Sequence, residues 1–223
     1  MFETPFTSII SGPSGCGKTT LLKNILCKLI SNSLEGVDIH FFYKNWQPLY
    51  DFLSLKMKRV KFYIYWIDGK KSNLYEKSEI ETLASKSKPG SFFIFDDALE
   101  ALKSKAIEDF FTRISHHQNC NVFLLVQNLF DPLLRVISRN SSYMILFRSP
   151  RDASQIRHIA FQMFLEKKKA EAFMKTFNDV TSEPFGYIMI DFRPHTSDNW
   201  RIATDILSLI PTHFSFSPPL EDL

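Results

Sequence analysis

One segment of the chain has the residue types and the spacing that phosphate binding requires. It reads Gly-Pro-Ser-Gly-Cys-Gly-Lys-Thr over residues 12–19, between an apolar run and an amphipathic run. Its three glycines let successive backbone N–H groups point at one site, where phosphate oxygens would accept their hydrogen bonds. The helix expected after the loop adds the positive end of its dipole. The segment therefore predicts a nucleoside triphosphate site, with ATP and Mg²⁺ as its ligands.

The residues expected to bind the nucleotide lie in this loop and at the start of the next helix. They are Gly12, Pro13, Ser14, Gly15, Cys16, Gly17, Lys18, Thr19 and Thr20. Lys18 is the only cation of the loop and can reach the β- and γ-phosphates, so we also predict a catalytic role for it. The hydroxyl group of Thr19 is predicted to be a ligand of Mg²⁺.

Two adjacent carboxylates follow a second apolar run. The run covers residues 92–95 and ends in Asp96 and Asp97. In α/β sheets ligands gather at the carboxyl ends of strands, so both carboxylates should emerge beside the phosphates. Asp96 is predicted to hold Mg²⁺, directly or through a water ligand, and Asp97 to orient or deprotonate the attacking water.

The next apolar run, Val122–Val126, leads into Gln127. A neutral amide at a strand end can donate a hydrogen bond to the γ-phosphate of ATP and lose it after hydrolysis, so Gln127 is predicted to be a γ-phosphate sensor. Several arginines follow, and one of them could act across a subunit boundary on the transferring phosphoryl group. The candidates for this arginine finger are, in order of preference, Arg135, Arg148 and Arg151.

The hydrophobic pattern predicts an α/β fold. With 223 residues, of which 44% are hydrophobic, the chain can bury the core of one domain. We predict a single domain over residues 1–210 and a flexible C-terminal tail over 211–223. Short β-rich runs alternate with helical stretches, which is typical of a mostly parallel sheet with helices on both faces. The predicted strands are Phe6–Ser11, Asp38–Tyr43, Lys61–Trp66, Phe92–Phe95, Val122–Val126, Tyr143–Phe147 and Tyr187–Phe192.

The composition indicates how the protein could contact nucleic acid and in which cellular environment we expect it. The net charge of +3 comes from 27 basic and 24 acidic residues, so binding to nucleic acid by bulk charge is excluded and any DNA contact must be local. The three cysteines have no metal-ligand or disulfide spacing, which indicates a reducing intracellular environment. No apolar run approaches the roughly 20 residues of a membrane span, and no targeting leader precedes the first predicted strand. We therefore expect a soluble intracellular protein.

Taken in order along the chain, these motifs resemble the FtsK/HerA superfamily of ATPases. Within it the chain is most similar to the poxvirus-like genome-packaging ATPases of Maverick/Polinton elements and adintoviruses. The resemblance covers nearly the whole chain and is most specific between residues 115 and 155. It is carried by residues 12–19, 95–97, 115–117 with 125–130, 135–138, Asn140, Tyr143, 146–152, Gln155, 186–191 and Arg201.

The resemblance implies a RecA/FtsK-like P-loop fold with an additional strand in the sheet. It also implies a motor that uses ATP to move double-stranded DNA, without sequence preference, into a preformed capsid. Such a motor would be a homo-oligomeric ring with active sites at subunit interfaces, and a capsid or portal vertex protein would be its partner. It would work in the cytoplasm or nucleus of a host cell or with the virion. Many superfamily members have Asp-Glu where this chain has Asp96-Asp97.

Two other functions are consistent with the phosphate-binding loop. A P-loop nucleotide kinase would need an acceptor site and usually a mobile basic lid, whereas the late acidic pair and the polar-ended strand favour hydrolysis. A clamp or assembly factor that binds ATP and turns it over slowly would have little need for Asp97 and Gln127. A DNA-contacting loop is not identified by any motif, and the candidates are Lys56, Lys58, Arg59, Lys61, Lys70 and Lys71.

Overall fold

A sheet of nine strands organises the part of the chain that the structure, a computed structural model, describes. That part comprises residues 2–31, 36–57, 59–64, 66–67, 70–71, 77–97, 105–129 and 131–216. The nine strands are β1 (Thr7–Ser11), β2 (Ile39–Tyr43), β3 (Val60–Ile64), β6 (Phe92–Asp96), β7 (Asn121–Val126), β8 (Tyr143–Phe147), β9 (Tyr187–Asp191), β10 (Ile202–Thr204) and β11 (Thr212–Phe214). Two further short strands, β4 (Trp66–Ile67) and β5 (Lys70–Lys71), pair only with each other.

The strand order in the sheet is β11-β10-β9-β8-β1-β7-β6-β2-β3. All pairs from β8 to β3 are parallel, and the pairs from β8 to β11 are antiparallel. The sheet is therefore mostly parallel, as predicted, with an antiparallel extension at one side.

Helices cover both faces of the sheet. They are α1 (Lys18–Ser31), α2 (Pro48–Lys56), α3 (Lys77–Lys86), α4, α5 (Arg135–Arg139), α6 (Ala153–Met163) and α7 (Lys167–Val180). Helix α4 combines Ala106–Asp109, a π-helical turn at Phe110–Ile114, and Ser115–His117. A 3₁₀ turn at Pro132–Leu134 precedes α5.

The central strands are buried on both faces, which explains their unbroken apolar runs. In β6, Phe93 and Phe95 pack into the core on one face, whereas Ile94 packs into the core on the other. Alternate side chains of a strand point to opposite faces, so a strand between two helical layers has no solvent-exposed side. The predicted fold class is confirmed by this arrangement.

The sequence-based assignment differs from the structure mainly at the C-terminal side. Strands β10 and β11 were not predicted, because they are only three residues long and carry no long apolar run. Residues 212–214, predicted to belong to a flexible tail, form the edge strand β11 and pair with β10. Residues 217–223 of the predicted tail lie outside the described residues. No helix in the described ranges combines the length and the apolar character that crossing a bilayer requires.

Candidate functional site

The predicted phosphate-binding loop connects the end of β1 to the start of α1. Gly15 and Gly17 have φ angles of 79° and 101°, a region that residues with a side chain rarely adopt. At Gly12 the constraint is space, since a Cβ atom there would lie 2.7 Å from Cys16 Sγ and 2.7 Å from Phe147 Cβ. The loop geometry therefore depends on glycine at all three positions.

Lys18 is a buried side chain held against the loop. Its Nζ donates hydrogen bonds to the carbonyl oxygens of Gly12 and Pro13, at 2.7 and 2.9 Å. The ammonium group thus lies over the turn whose backbone N–H groups are expected to face the phosphates, and it can exchange these carbonyl partners for phosphate oxygens.

The strand order places the predicted catalytic groups at one edge of the sheet. Strand β7 lies between β1 and β6, with Ser11 opposite Val126 and Asp96 opposite Leu125. Since the three strands are parallel and in register, their carboxyl ends meet beside the loop. Gln127 and Asp97 follow directly after β7 and β6.

A cavity of about 390 Å³, the loop cavity, opens at this edge. Its lining contains most of the predicted phosphate-binding residues, the predicted metal and sensor residues, and a group of residues from the segment after β2. The lining residues are Ser14, Gly15, Gly17, Lys18, Thr19, Thr20, Asn45, Gln47, Pro48, Leu49, Tyr50, Asp96, Asp97, Leu125, Val126, Gln127 and Phe185. Lys18 is the one cation among them. The structure therefore brings Lys18, Thr19, Asp96, Asp97 and Gln127 to one cavity.

Three of the predicted nucleotide-binding residues do not line the loop cavity. Gly12 and Pro13 present their carbonyl groups to Lys18, and Cys16 packs its thiol beside Gly12. Burial raises the pKa of the Cys16 thiol. These residues support the conformation of the loop without lining the loop cavity.

Asp96 is the most enclosed carboxylate of the site. Its Oδ2 accepts hydrogen bonds from the Tyr50 hydroxyl group at 2.7 Å, the Thr19 hydroxyl group at 3.4 Å and Gln47 Nε2 at 3.5 Å. Burial raises the pKa of Asp96, although the hydrogen bond from Tyr50 and the positive charge of Lys18 oppose that shift. A nearby cation would favour the ionised carboxylate.

The surroundings of Asp96 fit Mg²⁺. This ion prefers oxygen ligands in octahedral geometry and keeps several of its waters. Thr19 Oγ1 and Asp96 Oδ2 lie next to each other, and Asp97 is close by at the same cavity. Thr19 and Asp96 are therefore the residues that would hold the ion.

Asp97 has a left-handed backbone conformation, with φ of 53°. Aspartate and asparagine tolerate this conformation better than most residues. The turn separates the side chain of Asp97 from the buried position of Asp96 and leaves it partly exposed at the loop cavity.

Several residues of the cavity were not predicted from the sequence. Gln47 and Tyr50 come after β2, whose carboxyl end lies beside β6, and a polar group after a strand was the signal that could have indicated them. Burial and the charge of Asp96 raise the pKa of Tyr50, so its hydroxyl group stays protonated and donates. Phe185 also lines the cavity, and no sequence motif marks it.

The arginine-finger candidates lie outside the loop cavity. Arg135 is exposed at the start of α5, Arg148 is exposed directly after β8, and Arg151 is exposed before α6. None of them lines the cavity of its own chain. Among the candidates for DNA contact, Arg59 forms an ion pair with Asp38 at 2.6 Å. Lys58 lies outside the described residues, as do the side chains of Lys70 and Lys71.

Comparison with known proteins identifies the fold. No protein-family model and no curated protein sequence matches the chain. Among solved structures, it is similar to the genome packaging NTPase B204 of Sulfolobus turreted icosahedral virus 2 in complex with AMP. The TM-score is 0.59 at 16% identity, over 91% of this chain and 98% of that one. The B204 DNA-packaging ATPase of Sulfolobus turreted icosahedral virus has a TM-score of 0.59 at 16% identity, over 85% of this chain and 94% of that one.

A third neighbour has a different biological setting. It is the cytoplasmic domain of the type VII secretion ATPase EccC of Thermomonospora curvata, with a TM-score of 0.53 at 16% identity, over 84% of this chain and 24% of that one. The chain has the fold of P-loop ATPases. At the level of the fold, the resemblance seen in the sequence is confirmed.

Proposed function

We propose that this protein hydrolyses ATP at the loop cavity. The main support for the proposal is the position of β7. This strand lies between β1, which leads into the phosphate-binding loop, and β6, which ends in Asp96. It places the Gln127 amide at the same cavity as Lys18, Asp96 and Asp97. This set contains a cation for the phosphates, a metal-binding carboxylate, a second carboxylate for water and a neutral sensor.

Each of these residues has its own role in the proposed reaction. The backbone N–H groups of the loop and Lys18 bind the β- and γ-phosphates and offset the charge that spreads over the transferring phosphoryl group. Asp97 orients the attacking water and accepts its proton. Gln127 donates to the γ-phosphate and loses this partner when phosphate leaves. Tyr50 and Gln47 keep the Asp96 carboxylate in place.

When bound, Mg²⁺ would neutralise part of the charge of the phosphates. Thr19 and Asp96 would hold it. The Asp96 side chain is already oriented by three hydrogen bonds, which reduces the reorganisation needed when the metal complex enters.

We further propose that ATP hydrolysis drives double-stranded DNA into a capsid. The support is the likeness to packaging NTPases over nearly their whole length, 98% in one case, together with the motif pattern between residues 115 and 155. A DNA motor needs phosphate contacts without base readout, and the small net charge of +3 requires those contacts to be local. Its partners would be the DNA backbone and a capsid or portal vertex protein.

The proposed working form is a homo-oligomeric ring. Lys18 is the one cation that lines the loop cavity among the described residues. An arginine supplied by a neighbouring subunit would add a second charge at the γ-phosphate. Arg135, Arg148 and Arg151 are the proposed sources, in that order of preference, and all three are exposed.

ATP hydrolysis should be measured with the full chain, with and without linear double-stranded DNA, while its oligomeric state is recorded. We expect Mg²⁺-dependent hydrolysis that DNA stimulates in a ring-sized species, and no hydrolysis by Lys18→Ala. Phosphorylation of AMP or of nucleosides would instead indicate a nucleotide kinase. Tight ATP binding with negligible turnover in the presence of DNA would indicate a clamp.

The arginine role can be tested by mixing inactive subunits. Arg148→Ala keeps its own loop, and Lys18→Ala keeps its own arginine. If Arg148 acts in trans, mixing the two variants restores part of the activity, because some interfaces then combine an intact loop with an intact arginine. The same experiment with Arg135→Ala discriminates between the two candidates.

A further inference from the structure

A second cavity borders the phosphate-binding loop on the side away from β6 and β7. This flanking cavity has a volume of about 550 Å³, within the range of small-molecule sites. It is lined by Gly17, Thr20, Leu21, Asn24, Phe147, Phe185, Tyr187, Asp205, Leu207, Ser208, Ile210 and Thr212. Three of these residues, Gly17, Thr20 and Phe185, also line the loop cavity. The two cavities therefore meet at the loop and the first turn of α1.

The strand order determines in which direction a nucleotide would lie across the junction of the two cavities. Asp96, Asp97 and Gln127 lie at the carboxyl ends of β6 and β7, on one side of β1. On the other side of β1, the flanking cavity is lined by β8, by Phe185 and the start of β9, and by the segment from the end of β10 to the start of β11. If the γ-phosphate lies beside Asp96 and Gln127, the rest of the nucleotide extends over Gly17 and Thr20 towards the flanking cavity.

The flanking cavity has the surfaces that a nucleoside requires. Phe147 and Tyr187 are buried and form apolar walls, and the partly exposed Leu207 adds to them. Polar side chains also line the flanking cavity. The Asp205 carboxylate accepts no hydrogen bond from the described residues, and the Asn24 side chain is exposed on α1. A carboxylate can accept hydrogen bonds from the hydroxyl groups of a ribose or the amino group of a base.

Phe185 is held at the junction in an unusual conformation. Its φ of 65° is uncommon for a residue with a side chain, and 68% of its surface is exposed. The turn around it is tight, because a Cβ atom on Gly186 would lie 2.2 Å from the carbonyl oxygen of Val180. The ring contacts the loop, with Phe185 Cδ1 at 3.1 Å from where a Cβ atom on Gly17 would be. An exposed aromatic ring in a strained backbone conformation suggests a role in binding.

We propose that the flanking cavity binds the base and ribose of the nucleoside triphosphate, with Phe185 as the aromatic surface on which the base stacks. This inference rests on the proposed ATP site and adds the part of the ligand that the phosphate motif does not address. Stacking on an aromatic ring is available to every base, so it contributes affinity whatever the base is.

The test compares ATP with inorganic tripolyphosphate, which has the phosphates without the nucleoside. Calorimetric titration of both ligands would use the full chain, Phe185→Ala and Phe185→Gly. The glycine variant relieves the backbone strain while also removing the ring. We expect both variants to bind ATP at least about tenfold more weakly and tripolyphosphate within about twofold of the unmodified protein. Phe185→Tyr should retain ATP affinity, and Leu165→Ala, at a fully exposed position, should bind both ligands normally.

Two results would overturn the inference while the phosphate site stands. One is an equal loss of affinity for both ligands in the Phe185 variants, which would make the ring a support of the loop. The other is equal affinity of the unmodified protein for ATP and tripolyphosphate. Failure of the unmodified protein to bind either ligand would overturn the proposed ATP site as well.

Discussion

At the scale of single residues, the site depends on how two adjacent aspartates are separated. Asp96 ends a buried strand and is held by Tyr50, whereas Asp97 turns into the left-handed region and stays partly exposed. Two neighbouring carboxylates of the same type can therefore take different roles, one at the metal and one at the water.

The role of Asp97 is tested by Asp97→Asn. Asparagine tolerates the left-handed backbone, so the turn should be preserved. We expect Mg-ATP binding to remain and turnover to fall at least ~10²-fold, because the amide cannot accept the proton of water. Single-turnover hydrolysis and equilibrium binding measure the two effects. Retained turnover would show that Asp97 has a structural role only.

The role of Tyr50 is tested by Tyr50→Phe, which removes the hydrogen bond to Asp96 and keeps the ring. A hydrogen bond to a charged group contributes about 1.5–3 kcal/mol, so we expect the free energy of unfolding to fall by about that amount. Tyr43→Phe is the control, because the Tyr43 hydroxyl group forms no hydrogen bond with the described residues. Equal urea stability of the two variants would contradict the assignment.

At the scale of elements, the conformation of the phosphate-binding loop is fixed by its packing between β1, β8 and α1. Gly12 lies against Cys16 and Phe147, and Lys18 bonds back to the carbonyl groups of the loop. The loop is thus part of the packed core on one face of the sheet, to which Phe147 belongs.

Gly12→Ala should disturb this packing. The added methyl group would meet two atoms at 2.7 Å, one of them the Cβ atom of Phe147, which cannot move without the backbone of β8. We expect a loss of about 1–3 kcal/mol in the free energy of unfolding, together with weaker ATP binding. Ser14→Ala, at an exposed position of the same loop, should change stability by less than about 0.5 kcal/mol. Urea titration of both variants provides the comparison, and equal stabilities would argue against the close packing at Gly12.

The elements that the sequence predicts well are those whose local pattern determines them. The runs at β6 and β7 are buried on both faces and so are continuously apolar, and the glycines of the loop are required by its geometry. Strands β10 and β11 are short, and their pairing depends on the rest of the sheet. The contacts of Tyr50 with Asp96 and of Phe185 with Gly17 join residues far apart in sequence. A single sequence can show that a polar group follows a strand, but it contains no signal for which distant residue that group contacts.

At the scale of the whole molecule, the two edges of the sheet differ in character. The loop cavity lies at the carboxyl ends of the parallel strands. At the opposite edge, Asp191 ends the antiparallel strand β9 and accepts hydrogen bonds from Arg193 and Thr196. Arg193 also pairs with Glu3, so this cluster joins the N-terminal segment to the sheet.

The cluster predicts a pH-dependent contribution to stability. Burial alone would raise the pKa of Asp191, but the hydrogen bonds from Arg193 and Thr196 outweigh it and hold the pKa below its ordinary value. The contribution is therefore fully present above the ordinary pKa of about 3.9 and is lost as the pH falls through the lowered value in the folded state.

Asp191→Asn should lower the free energy of unfolding by about 3 kcal/mol at pH 7, because it leaves the enclosed Arg193 without its main partner. The difference from the unmodified protein should shrink as the pH falls below about 4. Asp198→Asn is the control, since Asp198 pairs with Arg201 while 90% of its side chain is exposed, and it should cost less than about 1 kcal/mol. A difference for Asp191→Asn that does not change with pH would contradict the explanation.

The proposed motor would use ATP hydrolysis at the loop cavity to move along double-stranded DNA. A triplex-displacement assay measures this movement directly: a third strand bound to linear DNA is released when a translocating protein reaches it. We predict release that requires ATP and Mg²⁺ and is absent for Lys18→Ala and Asp97→Asn. ATP hydrolysis by the unmodified protein on the same DNA, without release of the third strand, would contradict the motor.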